Sequence, residues 1–194
     1  STEIEIIPTC LLDDQSASED LKKITITLKK GETYLIRALG LLDLTGTVIR
    51  AKDDGNLFGN KCKKFAVFSG NQHGKPGDYE YEQIFPTHLL GNEYLISAPE
   101  DNGDNMVRIV ATEACTEVKI NGALVATLNQ TDYTDFELKL GSGCYIETNK
   151  PVGVAMYTYD LLTENQGSGE DAAMIILAPI EQNLDSIIFT GITN

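Results

Sequence analysis

Hydrophobic and polar residues alternate most regularly between residues 116 and 157, and this pattern predicts β-strands. Val118 and Ile120 alternate with charged residues and lead into Asn121-Gly122, a pair that is typical of a two-residue type I′ hairpin turn. Two later apolar segments, residues 144–148 and 152–157, predict further strands. Between them and the hairpin lies a half-buried strand, residues 134–140, whose apolar side chains share one face: Phe136, Leu138 and Leu140.

The rest of the chain also predicts short strands separated by turns. Helical periodicity is absent, whereas strands recur about every ten residues, which is typical of an all-β, mostly antiparallel protein. Residues 79–85 fit either a single helical turn or an irregular aromatic segment. The other predicted strands cover residues 4–7, 24–28, 33–39, 47–50, 65–68, 93–97, 107–112, 174–177 and 186–190.

An internal repeat predicts two similar β-sandwich units in tandem, residues 1–90 and 91–194. The final strand, residues 186–190, would then begin a third unit or pack back on the second, and an exchange of strands between the units also fits. Chance similarity between short strands is the alternative explanation. The matching residues are Leu28, Gly31 and Tyr34 with Leu128 and Tyr133; Gly46 and Ile49 with Gly143 and Ile146; Ala66 and Val67 with Gly153 and Val154; and Pro86 and residues 94–97 with Pro179 and residues 187–190.

The composition is that of a globular protein with a strong negative charge. Of the 194 residues 42% are hydrophobic, and 29 acidic against 15 basic residues give a formal net charge of −14. This charge repels nucleic-acid backbones and anionic lipid head groups, so we expect neither nucleic acid nor a membrane as a partner. No apolar segment approaches the roughly 18 residues that span a bilayer, and the first residues do not resemble a signal peptide.

The four cysteines, Cys10, Cys62, Cys115 and Cys144, lack the C-x-x-C spacing of a zinc site. Their even number favours two disulfides in a secreted protein over four free thiols in a cytosolic one. Pairing within each predicted unit, Cys10 with Cys62 and Cys115 with Cys144, is the simplest of the three connectivities.

The sequence gives little evidence for catalysis. No serine lies in a complete G-x-S-x-G motif. His73 lies in a Gly/Pro loop and is expected to be solvated, while His88, beside two leucines, is more typical of a semi-buried structural residue. We therefore predict that the protein is not an enzyme, although a glycosidase with two carboxylates far apart in sequence would show no local motif.

Calcium is the one cofactor that the acidic loops bring into consideration. Residues 100–105 supply hard oxygen atoms on a turn-forming loop, with Asp101, Asp104 and Asn105 as weak candidate ligands. The loop lacks the glutamate that closes an EF-hand. Polar turns without metal are the favoured interpretation, and we expect no cofactor.

A set of short segments occurs in a recognisable order and spacing. They are residues 44–49 (LTGTVI), 65–70 (FAVFSG), 82–86 (EQIFP) with 91–95 (GNEYL), 107–111 (VRIVA), 116–122 (TEVKING), 145–154 (YIETNKPVGV) and 177–182 (LAPIEQ). Together they resemble the N-terminal domain of IgGFc-binding proteins over roughly residues 24–190. The resemblance rests on the order of the segments, because each is short.

The resemblance implies a secreted or cell-surface all-β module that binds or adheres to an extracellular protein or glycan, without catalysis. It does not specify antibody binding. Sandwich loops gather at the ends of the sheets, so residues 71–78 and 99–105 are the expected contact surface. Two alternatives stay open: a purely structural spacer in a surface repeat array, and a carbohydrate-active enzyme with dispersed carboxylates.

Overall fold

In the computed structural model, the described residues are 1–15, 21–52, 64–72, 79–98, 105–158, 173–183 and 186. They form β-strands and two short 3₁₀ turns, which confirms the all-β prediction. The strands are β1 Thr2–Ile7, β2 Ile24–Leu28, β3 Val48–Ala51, β4 Phe68–Gln72, β5 Tyr79–Gln83, β6 Gly91–Ser97, β7 Asn105–Ala111, β8 Thr116–Ile120, β9 Ala123–Leu128, β10 Tyr133–Leu138, β11 Gly143–Thr158 and β12 Ala173–Ile176; the 3₁₀ turns are Thr87–Leu89 and Ile180–Gln182.

The long strand β11 organises the largest sheet, because four strands pair with it. Its first part, residues 143–148, pairs with β6 and β8, and its second part, residues 152–158, pairs with β7 and β12. β9 extends the sheet beyond β8, and β10 extends it beyond β7. The strand β11 thus belongs to two four-stranded layers, one with β6, β8 and β9 and the other with β7, β10 and β12. Strands that pass from one sheet to another in this way do so at a bend.

The main hydrophobic core lies between these two layers and draws on both. Fully buried side chains come from β7, β8 and both parts of β11. In each strand they are alternate residues, because every second side chain points inward. The least exposed aliphatic members are Val107, Ile109, Val118, Ile146 and Val152. β11 is therefore the strand whose side chains hold the two layers together.

The first part of the chain forms two smaller sheets: a three-stranded sheet in the order β2-β1-β3, and the hairpin β4-β5. Ile4 and Ile6 of β1 are buried beneath the first of these sheets. Glu5, between them, is also almost fully buried and pairs with Lys23 and Arg50. Hydrogen bonds from these two cations lower the pKa of Glu5, so the carboxylate stays charged inside the fold.

The strand pairing of the first part recurs in the second part, except that β8-β9 has a register shift between Val118 and Lys119 that β1-β2 lacks. β1 lies between β2 and β3 as β8 lies between β9 and β11. The same residue types face each other: Thr2 opposite Leu28 and Thr116 opposite Leu128, then Ile6 opposite Ile49 and Ile120 opposite Ile146. The charged pair next to these isoleucines has the opposite arrangement in the two parts. In the first part an acidic residue of the central strand, Glu5, faces the basic Arg50, whereas in the second part a basic residue of the central strand, Lys119, faces the acidic Glu147.

The turns recur as well. After β2, the Lys29 amide donates to Glu32 Oε2 at 2.8 Å, and after β9 the Asn129 amide donates to Asp132 Oδ2 at 3.1 Å. Later, the Ile84 amide donates to the Val67 carbonyl as the Leu177 amide does to Val154, and each of these pairs is followed by a proline that opens a 3₁₀ turn. The first part and the second part thus share local geometry as well as sequence.

One of the matched glycines needs correction. The turn before β3 has Gly46 at φ +85° and is closed by the Thr47 amide bonding the Leu44 carbonyl. The corresponding turn before β11 has Gly141 at φ +66° and is closed by the Ser142 amide bonding the Lys139 carbonyl. Gly46 therefore corresponds in conformation to Gly141, whereas the sequence match aligned it with Gly143. The division into two sandwich units at residue 90 stays a prediction.

Three local predictions are wrong. Residues 33–39 are not a strand; the Leu39 amide bonds the Leu11 carbonyl, and β2 pairs with β1 instead. The predicted buried strand at residues 65–68 is largely exposed, and β4 starts only at Phe68. Residues 79–83 form strand β5 rather than a helical turn or an irregular segment.

The predicted Cys115–Cys144 bridge is not formed, and both residues carry free thiols. β8 and β11 are antiparallel with Ile120 opposite Ile146, so Cys144 lies beyond one end of β8 and Cys115 just before the other. At about 3.3 Å per residue this separates them by roughly 20 Å, whereas a disulfide needs Cα atoms within about 7 Å. Cys62 lies outside the described residues, so the pairing Cys10–Cys62 stays a prediction.

Tyr94 anchors β6 to β11 through a buried hydrogen bond. Its hydroxyl donates to the Val152 carbonyl at 2.6 Å, and burial raises its pKa to about 12. An unfolded tyrosine ionises near pH 10, so the stabilisation from the neutral phenol is complete below about pH 10 and is lost as the pH rises to about 12.

Tyr94→Phe is therefore expected to lower the free energy of unfolding at neutral pH by about 1 kcal/mol. It should also reduce the fall in stability between about pH 10 and pH 12. Urea unfolding at pH 8, 10 and 11 checks both expectations, with the wild-type chain as the reference for the other tyrosines. An identical loss of stability with pH in the two proteins would contradict the assignment.

Candidate binding surface

Two aromatic side chains, Phe68 and Tyr81, lie stacked on the surface of the β4-β5 hairpin. Their ring centroids are 5.3 Å apart and the rings are within 7° of parallel. The Phe68 residue is 50% exposed and Tyr81 66% exposed. Large apolar side chains that stay this accessible in a pair are a feature of binding surfaces, and none of the described residues covers these two.

The register of the hairpin brings the two rings together. Phe68 lies opposite Gln83, and Gly70 lies opposite Tyr81, so Phe68 and Tyr81 are diagonal neighbours on one face. Diagonal neighbours are within reach of each other when the side chains are aromatic. A Cβ at Gly70 would overlap the backbone of Glu80, so glycine is required where β4 approaches β5.

The opposite face of the hairpin is buried at one residue only, since Ser69, Asn71 and Glu82 on that face are exposed. Its buried residue is Glu80, which is 9% exposed. The pKa of the half-buried Tyr157 on β11 is raised mainly by burial, and the negative charge of Glu80 is among the further causes that raise it. β5 also contacts β12. The hairpin therefore contacts the rest of the protein near Glu80 and β12, and both rings of the Phe68–Tyr81 pair stay accessible to solvent.

A second polar cluster surrounds Arg108 on β7. Its guanidinium forms two hydrogen bonds of 2.8 Å to Asp135 and a third of 2.8 Å to Thr45, and it also pairs with Asp43. The guanidinium carbon lies 4.1 Å from the centroid of the Tyr133 ring. These partners raise the pKa of Arg108, led by the hydrogen bonds to Asp135.

The Arg108 cluster holds the structure together rather than presenting a site. It joins the segment before β3, through Asp43 and Thr45, to β7 and β10 of the large sheet. Partial burial acts to raise the pKa of Asp43, but hydrogen bonds from Thr45 and Arg108 outweigh it and the pKa is lowered. Four of the five N–H donors of the guanidinium bond Asp135, Asp43 and Thr45, which leaves one donor on Nη2.

The structure places only some of the sequence-predicted site residues. Of the weak calcium candidates, Asp101 and Asp104 lie outside the described residues, while Asn105 is fully buried as the first residue of β7. Among the residues that the structure describes, no group of three or more acidic, histidine or cysteine side chains could hold a metal. His73 lies outside the described part, and His88 is exposed in the first 3₁₀ turn, so its predicted semi-buried position is wrong.

The loops expected to form the contact surface, residues 71–78 and 99–105, lie mostly outside the described residues. The aromatic pair adjoins the first of them, since β4 and β5 are its two flanking strands. Sequence reasoning missed the pair because residues 79–85 were not assigned to a strand. The alternation Tyr79-Glu-Tyr81-Glu was the available signal, since a period of two places both tyrosines on one face.

Comparison with protein families gives a result that covers the chain from end to end. A family model described as IgGFc binding protein matches residues 1–194. The chain belongs to the IgGFc-binding protein family. No curated protein and no solved structure matches it.

Membership in the IgGFc-binding family extends the resemblance beyond residues 24–190 to the strand β1 and the segments at both ends. Within the described part of this family member, no helix is long and apolar enough to cross a membrane. On the described surface of this IgGFc-binding family member, Phe68 and Tyr81 form an exposed, stacked aromatic pair.

Proposed function

We propose that this IgGFc-binding family member is a non-catalytic, extracellular binding module of a larger secreted or surface protein. We further propose that it recognises a protein partner through Phe68 and Tyr81. The observation that carries the proposal is the exposed, stacked pair of rings on the β4-β5 hairpin. Family membership supports a protein as the partner class, because the family is described by its binding to the Fc part of IgG.

The chemistry of the pair also favours a protein surface. Aromatic side chains are enriched among the residues that contribute most to the binding energy of protein interfaces. In addition, a pair of rings that is already stacked loses little conformational entropy on binding. The formal net charge of −14 favours a partner whose rim is basic, and it would steer such a partner toward the module at low salt. A sugar ring stacking on one of the aromatic faces is the other ligand that such a surface accommodates.

Binding of an IgG Fc fragment to the intact chain tests the proposal, with surface plasmon resonance as the readout. Phe68→Ala and Tyr81→Ala are each expected to weaken binding at least tenfold, because truncated aromatic hot-spot residues cost about 2–4 kcal/mol. Leu124→Ala is the matched control, since Leu124 is 58% exposed and lies on β9, far along the chain from the hairpin. Thermal unfolding of each variant checks that the fold is retained.

Each outcome bears on a different part of the proposal. Wild-type affinity in both Phe68→Ala and Tyr81→Ala would exclude the aromatic pair as the binding site. No binding of Fc by the wild-type chain would exclude Fc as the partner. Binding to glycosylated Fc that disappears after enzymatic removal of its glycan would assign the surface to a sugar ligand instead of a protein.

A further inference from the structure

The strand β4 has a free edge beside the aromatic pair. It pairs with β5 on one side, and within the described residues no strand lies on its other side. The Ile84 amide donates to the Val67 carbonyl, so Val67 is bonded toward β5. Because the direction of hydrogen bonding alternates along an antiparallel strand, the backbone N–H and C=O groups of Phe68 and Gly70 are directed toward the free edge. Both residues are exposed, so a partner can reach these groups.

The counterpart of this edge in the second part of the chain is covered by a strand. The repeated hydrogen bonds between the strands and the segments before the 3₁₀ turns place Ala155 of β11 in the position of Phe68. Ala155 lies opposite Arg108 of β7, in an antiparallel pairing that includes every residue of β7. The fold therefore accommodates an antiparallel strand at this edge, and β4 has the same edge without one among the described residues.

The other open edges are weaker candidates for a partner. β2 and β9 occupy equivalent places, and each is the last strand of its sheet in the described part, so neither shows what would cover the other. β3 also lacks the strand that β6 provides beside β11, but Val48 and Ile49 of β3 are already half-buried. The edge of β4 is the one that combines exposed backbone, exposed aromatic rings and a covered counterpart.

We propose that the protein partner adds an extended segment to β4 as an antiparallel strand and so contacts the Phe68–Tyr81 pair. This inference rests on the proposed function and specifies the segment that the site takes. In strand addition, main-chain hydrogen bonds supply affinity and alternate side chains supply specificity. The partner residue directly opposite Phe68 has its side chain on the same face as the two rings, because cross-strand neighbours share a face.

A basic residue suits the position opposite Phe68. A cation is attracted to the face of an aromatic ring, and the formal net charge of −14 favours a positively charged segment. The second part of the chain shows the same chemistry, since Arg108 lies opposite Ala155 and over the ring of Tyr133. The expected segment therefore resembles β7, with a basic residue among β-branched ones.

A peptide with the sequence of β7, Asn-Met-Val-Arg-Ile-Val-Ala, is the probe, blocked at both ends and added to the intact chain. We expect a saturating amount to slow hydrogen exchange at the Phe68 and Gly70 amides at least fivefold, while β8 and β9 exchange as before. Phe68→Ala and Tyr81→Ala should each weaken peptide binding at least fivefold. Unchanged exchange in β4, or slowed exchange only at other strands, would overturn the proposal.

Two N-methylated forms of the peptide separate strand addition from contact by side chains alone. In the protein, Ala111 exchanges backbone hydrogen bonds with the turn before β10, so its N–H is directed away from β11. By alternation, the amides of Arg108 and Val110 are directed to β11, and those of Val107 and Ile109 away from it. Methylation at the first two positions should weaken binding at least tenfold, whereas methylation at the other two should change it less than twofold. Equal affinities would overturn strand addition.

A peptide with Arg108→Glu tests the basic position. It is expected to bind at least fivefold more weakly at low salt, with a smaller difference at high salt because ions screen the charges. Equal affinity at low salt would overturn the preference for a basic residue.

Failure of strand addition is distinguishable from failure of the proposed function. If Fc binding depends on Phe68 and Tyr81 but the two N-methylated peptides bind alike or not at all, the aromatic site stands and strand addition is wrong. If the peptide binds along β4 and Fc does not bind, strand addition stands and Fc is excluded as the partner.

Discussion

Replacing Gly46 with alanine is expected to cost about 3–5 kcal/mol of folding free energy, through two effects that act together. Gly46 has φ +85°, a left-handed conformation that side chains rarely adopt. In addition, a Cβ at this position would overlap the carbonyl oxygen of Thr131 in the turn between β9 and β10. The methyl group would therefore force apart two turns that belong to different sheets.

Gly31→Ala provides a matched control for the Gly46 prediction. Gly31 has nearly the same backbone angle, φ +84°, but nothing lies within 4 Å of a Cβ built there. Its replacement should cost only the backbone term, about 1–2 kcal/mol. Chemical denaturation of the three proteins at equal salt separates the two effects. Equal losses for Gly31→Ala and Gly46→Ala would show that the turns before β3 and after β9 are not in tight contact.

The second large effect is expected at Ile146, where alanine should cost about 2–5 kcal/mol. Ile146 is fully buried in the first part of β11, between Tyr94 on β6 and Ile120 on β8. Truncating it leaves a cavity between the two layers, and strands paired on both sides of β11 limit how far the neighbours can move in to fill it. The site therefore cannot collapse cheaply.

Leu95→Ala is the control for Ile146→Ala, since Leu95 lies on β6 next to Tyr94 and is 74% exposed. A change within about 0.5 kcal/mol is expected there, because an exposed side chain loses little on truncation. Both values come from urea unfolding followed by circular dichroism. Comparable losses for the two variants would show that the large sheet is not the stable core of the chain.

The parts of the fold that local sequence determines were predictable. Asn121 and Gly122 adopt φ +50° and +82°, as a type I′ turn requires, and the β8-β9 hairpin follows directly from them. Phe136 and Leu138 alternate inward as expected. Leu140 lies past the end of β10 and is half exposed, because the strand stops before it.

The features that were not predicted correctly depend on residues that are far apart in the sequence. Residues 33–39 alternate like a strand, but β1 takes the place beside β2, and alternation alone does not identify the neighbour. The partners of Arg108 were not predictable for the same reason. Asp43 precedes Arg108 by 65 residues in the sequence, and Asp135 follows it by 27 residues. The exposed aromatic pair was missed for a related reason: its rings meet only when β4 and β5 are placed in register.

The exchanged charges on the central strands have a consequence for folding. A chain in which the strands β2-β1-β3 and the strands β9-β8-β11 are paired alike could assemble with its strands traded, β1 beside β11 and β8 beside β3. In that arrangement Glu5 would face Glu147 and Lys119 would face Arg50, two pairs of like charges in place of two pairs of opposite ones. Such a trade is a characteristic failure of repeated domains, and a single inverted pair per sheet gives the native assembly an energetic advantage over it.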